Sequence, residues 1–394
     1  MTIRGQTRGT GTEARPKELH ALFIGVDYAG LRTRFENLIE HTKDDERIRP
    51  EYRWIRGWDA SGHLERLPLL SRAAKGRLRA TMDARVVAKI PRPDVVWSSA
   101  TEVLAPYLWS FLGPLRRPLV LDLDCTLEQL EQMAPQYFGR PARQGARMRV
   151  SSLIERALWS RVTMFAPWSR WARDALLRSG VQKDRIHVLP PGVDLERWRP
   201  SERREPRSRP RLLFVGGDWK RKGGDILLDV FRSAFAGRCE LAVVTRDPVA
   251  PTPGVTVHRF EANSLGLIDL YRNADLFVLP TTAECFGLAA IEAMASGLPV
   301  IMSDVGGARD IVDHGSTGWL IRPTHDDLRV ALERAIARPD DLVAMGRAAR
   351  HEAEQRFDVR ANDRKVVDLM VEASSRRSLR AASPRLLDET GADA

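Results

Sequence analysis

Short apolar runs alternate with stretches of helical spacing along this chain. Runs at residues 21–26 (ALFIGV), 94–97 (DVVW), 119–123 (LVLDL) and 162–166 (VTMFA) read as strands. They are too uniformly apolar for half-exposed strands, so they predict strands buried on both faces. Helical patterns lie between them, from residue 31, over 102–111 and over 149–161. A helix over 168–179 and a strand over 185–189 close this half. A second alternation predicts strands at 211–216, 240–245, 255–259, 275–279, 299–302 and 318–321. Its helices fall at 224–236, 265–272 and 286–296, then over 326–356 and 360–374.

Strands that alternate with helices imply parallel sheets covered by helices on both sides. Between the two alternations, residues 200–210 (PSERREPRSRP) are charged, bounded by proline and nearly free of apolar side chains, which predicts a linker. The expected fold class is α/β, with two Rossmann-like domains facing each other across a cleft. The expected divisions are a disordered leader at 1–18, a first domain at 19–199, the linker, a second domain at 211–358, a last helix at 359–374 and a frayed tail at 375–394.

The 394 residues suffice for two sizeable cores. A formal net charge of +10 suits anionic partners, such as phosphate-bearing substrates or an acidic membrane. The Arg- and Lys-rich helical pattern at 66–89 reads as a solvated face, although the charge also permits peripheral contact with an anionic membrane. No apolar run reaches the ~18–20 residues that span a bilayer. The first twenty residues lack an apolar signal core, so a cytoplasmic protein is expected, at most peripheral at the inner membrane face. Basic and aromatic residues are not interleaved as in nucleic-acid modules, so no nucleic-acid partner is expected. The three cysteines, Cys125, Cys239 and Cys285, are far apart in sequence, and none of the eight histidines falls in a ligand-spaced pair. Neither a disulfide framework nor a metal site is expected.

The most informative segment is residues 279–307, LPTTAECFGLAAIEAMASGLPVIMSDVGG. A strand ends at Pro280, a loop carries Glu284, and a helix opens near Phe286 and Gly287. Free N–H groups and the dipole at a helix start make an anion site. Gly287 removes a side chain where a phosphate would approach, so the N–H groups of Phe286, Gly287 and Leu288 are candidate diphosphate donors. Glu284 and Glu292 are eight positions apart, on the order of 12 Å along a helix. That is too far for a glycosidase carboxylate pair, yet it suits bracketing a long ligand. Glu292 would hold ribose hydroxyls and Glu284 those of a donor sugar. Residues 211–224, RLLFVGGDWKRKGG, supply a strand, a glycine turn, a basic cluster and a helix start.

The Glu-x7-Glu spacing with Phe-Gly between, followed by EAMASGLPVI and a Gly-Gly turn, resembles the donor-site signature of family 4 glycosyltransferases, retaining enzymes of the GT-B fold. The resemblance covers residues 150–373 and is weak over 20–150. It implies that Lys222 binds the donor diphosphate, beside Gly216 and Gly217. The family usually carries Arg at the position of Gly217, so Lys220 or Arg221 would supply that charge. HVLPPGVDLERW at 187–198 resembles the stretch that closes the first domain, with Pro191 in place of Asn and a turn at Gly192. Ser169 falls in the family's strand-to-helix turn. The last helix is implied to cross back onto the first domain. Asp124 and Thr126 are read as facing the cleft from the weaker half, with Asp124 a catalytic candidate beside Glu284 and Lys222. The implied activity moves a sugar from a nucleotide diphosphate donor to an unidentified acceptor with retention, needing neither cofactor nor metal.

Two other enzyme readings start from LVLDLDCTLEQL. It resembles the motif of haloacid-dehalogenase-type phosphatases, with Asp122 as nucleophile and Asp124 as proton donor. That motif normally opens its domain, however, and no second Asp follows closely after Gly217–Asp218. A metal-dependent transferase with Asp-Leu-Asp as cation ligand is disfavoured because that fold lacks the helix-borne Glu pair. A non-catalytic nucleotide-sugar binding protein is the remaining alternative.

Overall fold

The computed structural model describes residues 18–27, 29–55, 93–99, 117–201 and 209–382. The leader through residue 17, the basic pattern at 66–89, the helix expected at 102–111, most of the linker and the tail beyond 382 lie outside them. Among the described residues no helix is long and apolar enough to cross a membrane.

The first sheet contains β1 (Leu19–Val26), β2 (Ile48–Ile55), β3 (Val95–Ser99), β4 (Leu119–Leu123) and β5 (Met164–Pro167), all parallel, in the order β2-β1-β3-β4-β5. Ala21 and Phe23 enter one core cluster, and Leu22 and Ile24 enter another on the opposite face. Burial on both faces is why β1 reads as an unbroken apolar run. β2 escaped the sequence pattern because it is an edge strand. Of its residues only Ile48 and Ile55, at its two ends, are buried, and an edge tolerates Pro50, which has no N–H to donate. The helices of this domain are α1 (Ala29–Thr42), α2 (Leu127–Gln132), α3 (Ala134–Phe138), α4 (Ala146–Trp159) and α5 (Arg170–Arg178). The strand expected at 185–189 is reduced to one bridge, Phe165 with Ile186, although His187 and Leu189 still donate to Phe165 and Pro167.

The second sheet contains β6 (Arg211–Val215), β7 (Glu240–Val244), β8 (Val255–His258), β9 (Leu276–Leu279), β10 (Val300–Ser303) and β11 (Gly318–Ile321), ordered β11-β10-β9-β6-β7-β8. Its helices are α6 (Gly224–Val230), α7 (Leu265–Arg272), α8 (Leu288–Ala295), α9 (His325–Ala337) and α10 (Pro339–Arg356), and α11 (Val359–Ala382) follows. α6 ends in a π turn, Phe231–Phe235, where the sequence pattern reads one helix to 236. The pattern over 326–356 breaks into two helices because Pro339 cannot donate inside a helix and starts a new one instead. The strand order reverses direction between β6 and β9. A crevice opens beyond the carboxyl ends of two such strands, where ligands bind in open α/β sheets.

The chain crosses between domains twice, and the crossings pair. Val193 donates to Phe357 at 2.8 Å, and Val359 donates back to Val193 at 3.2 Å. A Cβ on Gly192 would lie 2.2 Å from Val359 Cα, so only glycine fits there. Val193 and Trp198, together with Trp168, pack in the second core. After the return crossing, α11 lies on the first domain, where Val366, Val367, Met370 and Ala373 share a core with Phe23, Phe35 and Trp97.

A buried ionic network fixes that docking. Arg34 on α1 has a fully buried side chain, which pairs with Asp363 of α11 and stands 3.5 Å from Asp122 of β4. Trp168 also donates to Asp122, at 3.0 Å. Burial pushes the Asp122 carboxyl up to about 6, against the pull of Arg34 and Trp168. His41 stands 3.3 Å from Asp363, and their hydrogen bond raises the imidazole above its usual range. Arg34→Met would strand two buried carboxylates. It is expected to cost about 3–5 kcal/mol in urea denaturation, much of it recovered when Asp122→Asn and Asp363→Asn are added.

Candidate functional site

Two loops meet at the crevice of the second sheet. The loop after β6 runs from Gly216 to Gly223, and the loop after β9 from Pro280 to Gly287. They are tied together at Arg221. Its carbonyl accepts from Thr282 N at 2.8 Å, and its guanidinium donates to Asp218 at 3.0 Å and to the Ala283 carbonyl at 2.9 Å. That guanidinium also lies 4.3 Å from the centre of the Tyr137 ring, contributed by α3 of the first domain. Arg221 is thus committed to holding the loops, whereas Lys220 is exposed. Gly217 meets nothing within 4 Å of a notional Cβ, so the space the family's Arg would fill is open here.

Lys222 forms an ion pair with Glu284, and both side chains are largely buried. The pair sits on the approach to α8, whose first turn has no side-chain cap. Gly287, the residue before that turn, has φ +117, and a Cβ there would meet Met302 at 2.7 Å. A glycine is therefore required to open α8 at this angle, and the uncapped N–H groups form an anion seat. Phe286 directs its ring inward, edge-on to Trp168 at 5.9 Å, and offers the cleft only its backbone. Leu288 approaches Gly30 of α1 across the cleft, 3.0 Å from a notional Cβ.

Glu292 lies one turn into α8. Tyr271 of α7 donates to its carboxylate at 3.1 Å, and Tyr271 is in turn packed edge-on against Trp198 at 5.0 Å. Burial pushes the Glu292 carboxyl up to about 7, opposed by the Tyr271 hydrogen bond and the charge of Lys222. Lys222 thus acts on both acids. A cavity of about 180 Å³ adjoins Glu292, lined among others by Asn37, Gly192, Trp198, Asn263 and Leu288. It is the inner end of the cleft between α1 and α8.

On the first-domain side the readings divide. Asp124, at the end of β4, reaches the cleft, and burial raises its carboxyl above the ordinary range, with the charge of Glu284 adding to the shift. Thr126 does not face a ligand. It is buried and caps α2, accepting from Gln129 N at 3.3 Å in a capping box. Ser169 likewise caps α5, accepting from Ala172 N. Asp122 has no exposed surface and is taken up by Arg34 and Trp168, so it cannot serve as the phosphatase nucleophile. The cysteines also differ from expectation, since Cys125 and Cys285 meet across the cleft beside Asp124, their ligand atoms all within 4.8 Å of one another.

Sequence reasoning missed Tyr137, Tyr271 and the Arg170–Asp310 pair. The Arg170 side chain contacts Asp310 at 2.6 Å, and Arg170 N donates to the same carboxylate at 2.9 Å, so the second domain caps a helix of the first. No local pattern marks these residues, because their partners lie more than twenty positions away. The cysteines did carry a signal, each being the immediate neighbour of a candidate acid.

Comparison with known proteins bears on the family and the fold. Residues 38–197 match the family described as Glycosyltransferase Family 4, and residues 209–338 match Glycosyl transferases group 1. The D-inositol 3-phosphate glycosyltransferase of Nocardia farcinica is 34% identical over 227 residues, covering 48% of this chain and 48% of that protein. The protein of the same name from Rhodococcus jostii is 34% identical over 218 residues, covering 46% of each. The chain thus matches about half the length of these relatives. Among solved structures, the sucrose-phosphate synthase of Thermosynechococcus elongatus superposes with a TM-score of 0.72 at 20% identity, covering 93% of this chain and 100% of that one. Anabaena HepE, in complex with UDP and glucose, gives 0.63 at 17% identity, covering 89% and 99%. The shared fold, and two family matches that between them take in most of the chain, lead to one assignment: the chain belongs to the family 4 glycosyltransferases and has the GT-B fold.

Proposed function

We propose that this protein transfers a sugar, with retention, from a nucleotide diphosphate donor bound in the cleft. The observation that carries the reading is the convergence of three features at one point. Lys222, Glu284 and the uncapped start of α8 meet where the second sheet reverses its strand order. The diphosphate would lie on the N–H groups of Phe286, Gly287 and Leu288, with Lys222 against its oxygens. Taking up Lys222 would release Glu284 from its ion pair, and Glu284 would then accept hydrogen bonds from the sugar hydroxyls. Glu292 would hold the ribose, with the base lying outward.

The glycosidic C1–O bond to phosphate breaks, leaving an oxocarbenium-like sugar and a diphosphate with added negative charge. Lys222 and the helix start stabilise that charge where it develops, so the reading needs no metal. The acceptor hydroxyl approaches from the first domain, on the side of Asp124, and adds to C1 on the same face. Its proton passes to the departing phosphate oxygen. Relatives named for an inositol phosphate suggest a polyol or polyol phosphate as acceptor. The paired crossings at Val193 and Val359 would let the domains close and exclude water. Release of nucleoside diphosphate from a panel of nucleotide sugars, with and without polyol acceptors, tests the reading. No release and no binding with any donor would refute it.

Lys222→Ala is expected to lower kcat by about a hundredfold or more while changing donor affinity less than tenfold. A loss confined to KM would reduce Lys222 to uniform binding. Glu292 accepts from ribose hydroxyls more strongly when ionised, and its carboxyl is held up to about 7. Affinity for a nucleotide sugar, whose diphosphate does not titrate here, should therefore strengthen between about pH 6 and pH 8. Glu292→Gln should flatten that profile. Calorimetric titration across the range measures both, and a flat wild-type profile removes Glu292 from the ribose site.

A further inference from the structure

Cys125 and Cys285 have no part in the transfer described above, yet the fold delivers them to the same place. Cys125 follows Asp124 at the end of β4, in the first domain. Cys285 lies between Glu284 and Phe286, in the loop that leads to α8 of the second. The Asp124 carboxylate and the two Sγ atoms all lie within 4.8 Å of one another. Both cysteines are free thiols. Cys285 is buried, with the Tyr137 hydroxyl 3.5 Å from its sulfur, while Asp124 and Cys125 are half-buried at the cleft wall.

Two sulfurs and a carboxylate oxygen are a donor set for zinc. Tetrahedral zinc holds thiolates at about 2.3 Å and carboxylate oxygens at about 2.0–2.2 Å. Ligand atoms around it are then somewhat under 4 Å apart, so these three need only a small inward movement. Thiolates select such a cation over magnesium or calcium, which take oxygen ligands. A disulfide would use the two sulfurs and leave the carboxylate unused, whereas a cation uses all three.

We propose that Asp124, Cys125 and Cys285 form a zinc-binding site that bridges the two domains, with the fourth position left to water. On binding, the two thiol protons pass to solvent and both thiolates coordinate the ion. A cation held there ties the end of β4 to the loop carrying Glu284, and so fixes the two domains in the arrangement seen here. Zinc would then act as a clamp on domain opening, separate from the chemistry that Lys222 and α8 support. The site itself does not depend on the transferase reading.

Calorimetric titration of the reduced, chelator-washed full chain with zinc chloride tests it, with no donor or acceptor present. One zinc per chain is expected, and Cys125→Ser, Cys285→Ser and Asp124→Asn should each weaken binding by tenfold or more. Cys239→Ser, which alters a buried thiol outside the cluster, should bind as the wild type does. Cobalt gives a second readout that does not depend on affinity. A thiolate-to-cobalt absorption band should appear in the wild type and in Cys239→Ser, and be lost when Cys125 and Cys285 are both replaced. Zinc affinity and cobalt spectrum unchanged in that double variant would overturn the proposal. So would intact mass showing that the reduced pair closes to a disulfide while zinc, added beforehand, gives no protection.

Discussion

The geometry of the cleft depends on a single buried guanidinium. Arg34 joins α1, β4 and α11 through Asp122 and Asp363, and each of these elements delivers something to the cleft. The start of α1 faces Leu288, the end of β4 carries Asp124 and Cys125, and α11 is continuous with the second domain. Buried ion pairs gain little net stability over apolar packing, but they penalise any arrangement that separates them. Here that penalty falls on undocking the last helix. The network therefore serves the register of the two domains more than their stability.

The second domain was largely legible in the sequence, and the reason is physical. Apart from the edge strand β8, its strands are largely buried, so 211–216, 275–279 and 318–321 stand out as apolar blocks within a residue or two of their bounds. The two loops follow the adjacent strands β6 and β9 at the reversal of sheet order, so the candidate site is built from two short segments whose glycines and charges lie close together in sequence. The first domain was harder to read. β2 hides as an edge strand with buried residues only at its ends, and the acids of β4 gave no hint of which one is buried. Asp122 lies on β4 and Asp124 just past its end, two positions on, yet Arg34, eighty-eight residues before Asp122, decides that the first is structural. Thr126 was misread for a related reason, since a hydroxyl at a strand end caps the following helix as readily as it meets a ligand.

Charge at the site is divided between a tie that holds the loops and an ion pair. Two basic residues adjoin in sequence, yet Arg221 ties the loops and stacks on Tyr137 while Lys222 faces both acids. The planar, multidentate guanidinium suits the tie, and the flexible ammonium can exchange one anion for another. A side chain at Gly217 would meet open space. Neighbouring contacts between the domains, Trp168 with Phe286 and Arg170 with Asp310, hold the anion seat against the first domain.

The return of α11 has a consequence for how the polypeptide matures. The face of the first sheet formed by Phe23, Phe35 and Trp97 is completed by Val366, Val367 and Met370. The ribosome delivers these residues only after it has made the whole second domain. The earlier half must therefore wait with that apolar face uncovered, whereas the later half, contiguous in sequence, can fold as it emerges. The usual vectorial order, in which amino-terminal domains finish first, is inverted here. The period of waiting is when nascent chains would be most exposed to aggregation and most in need of a chaperone.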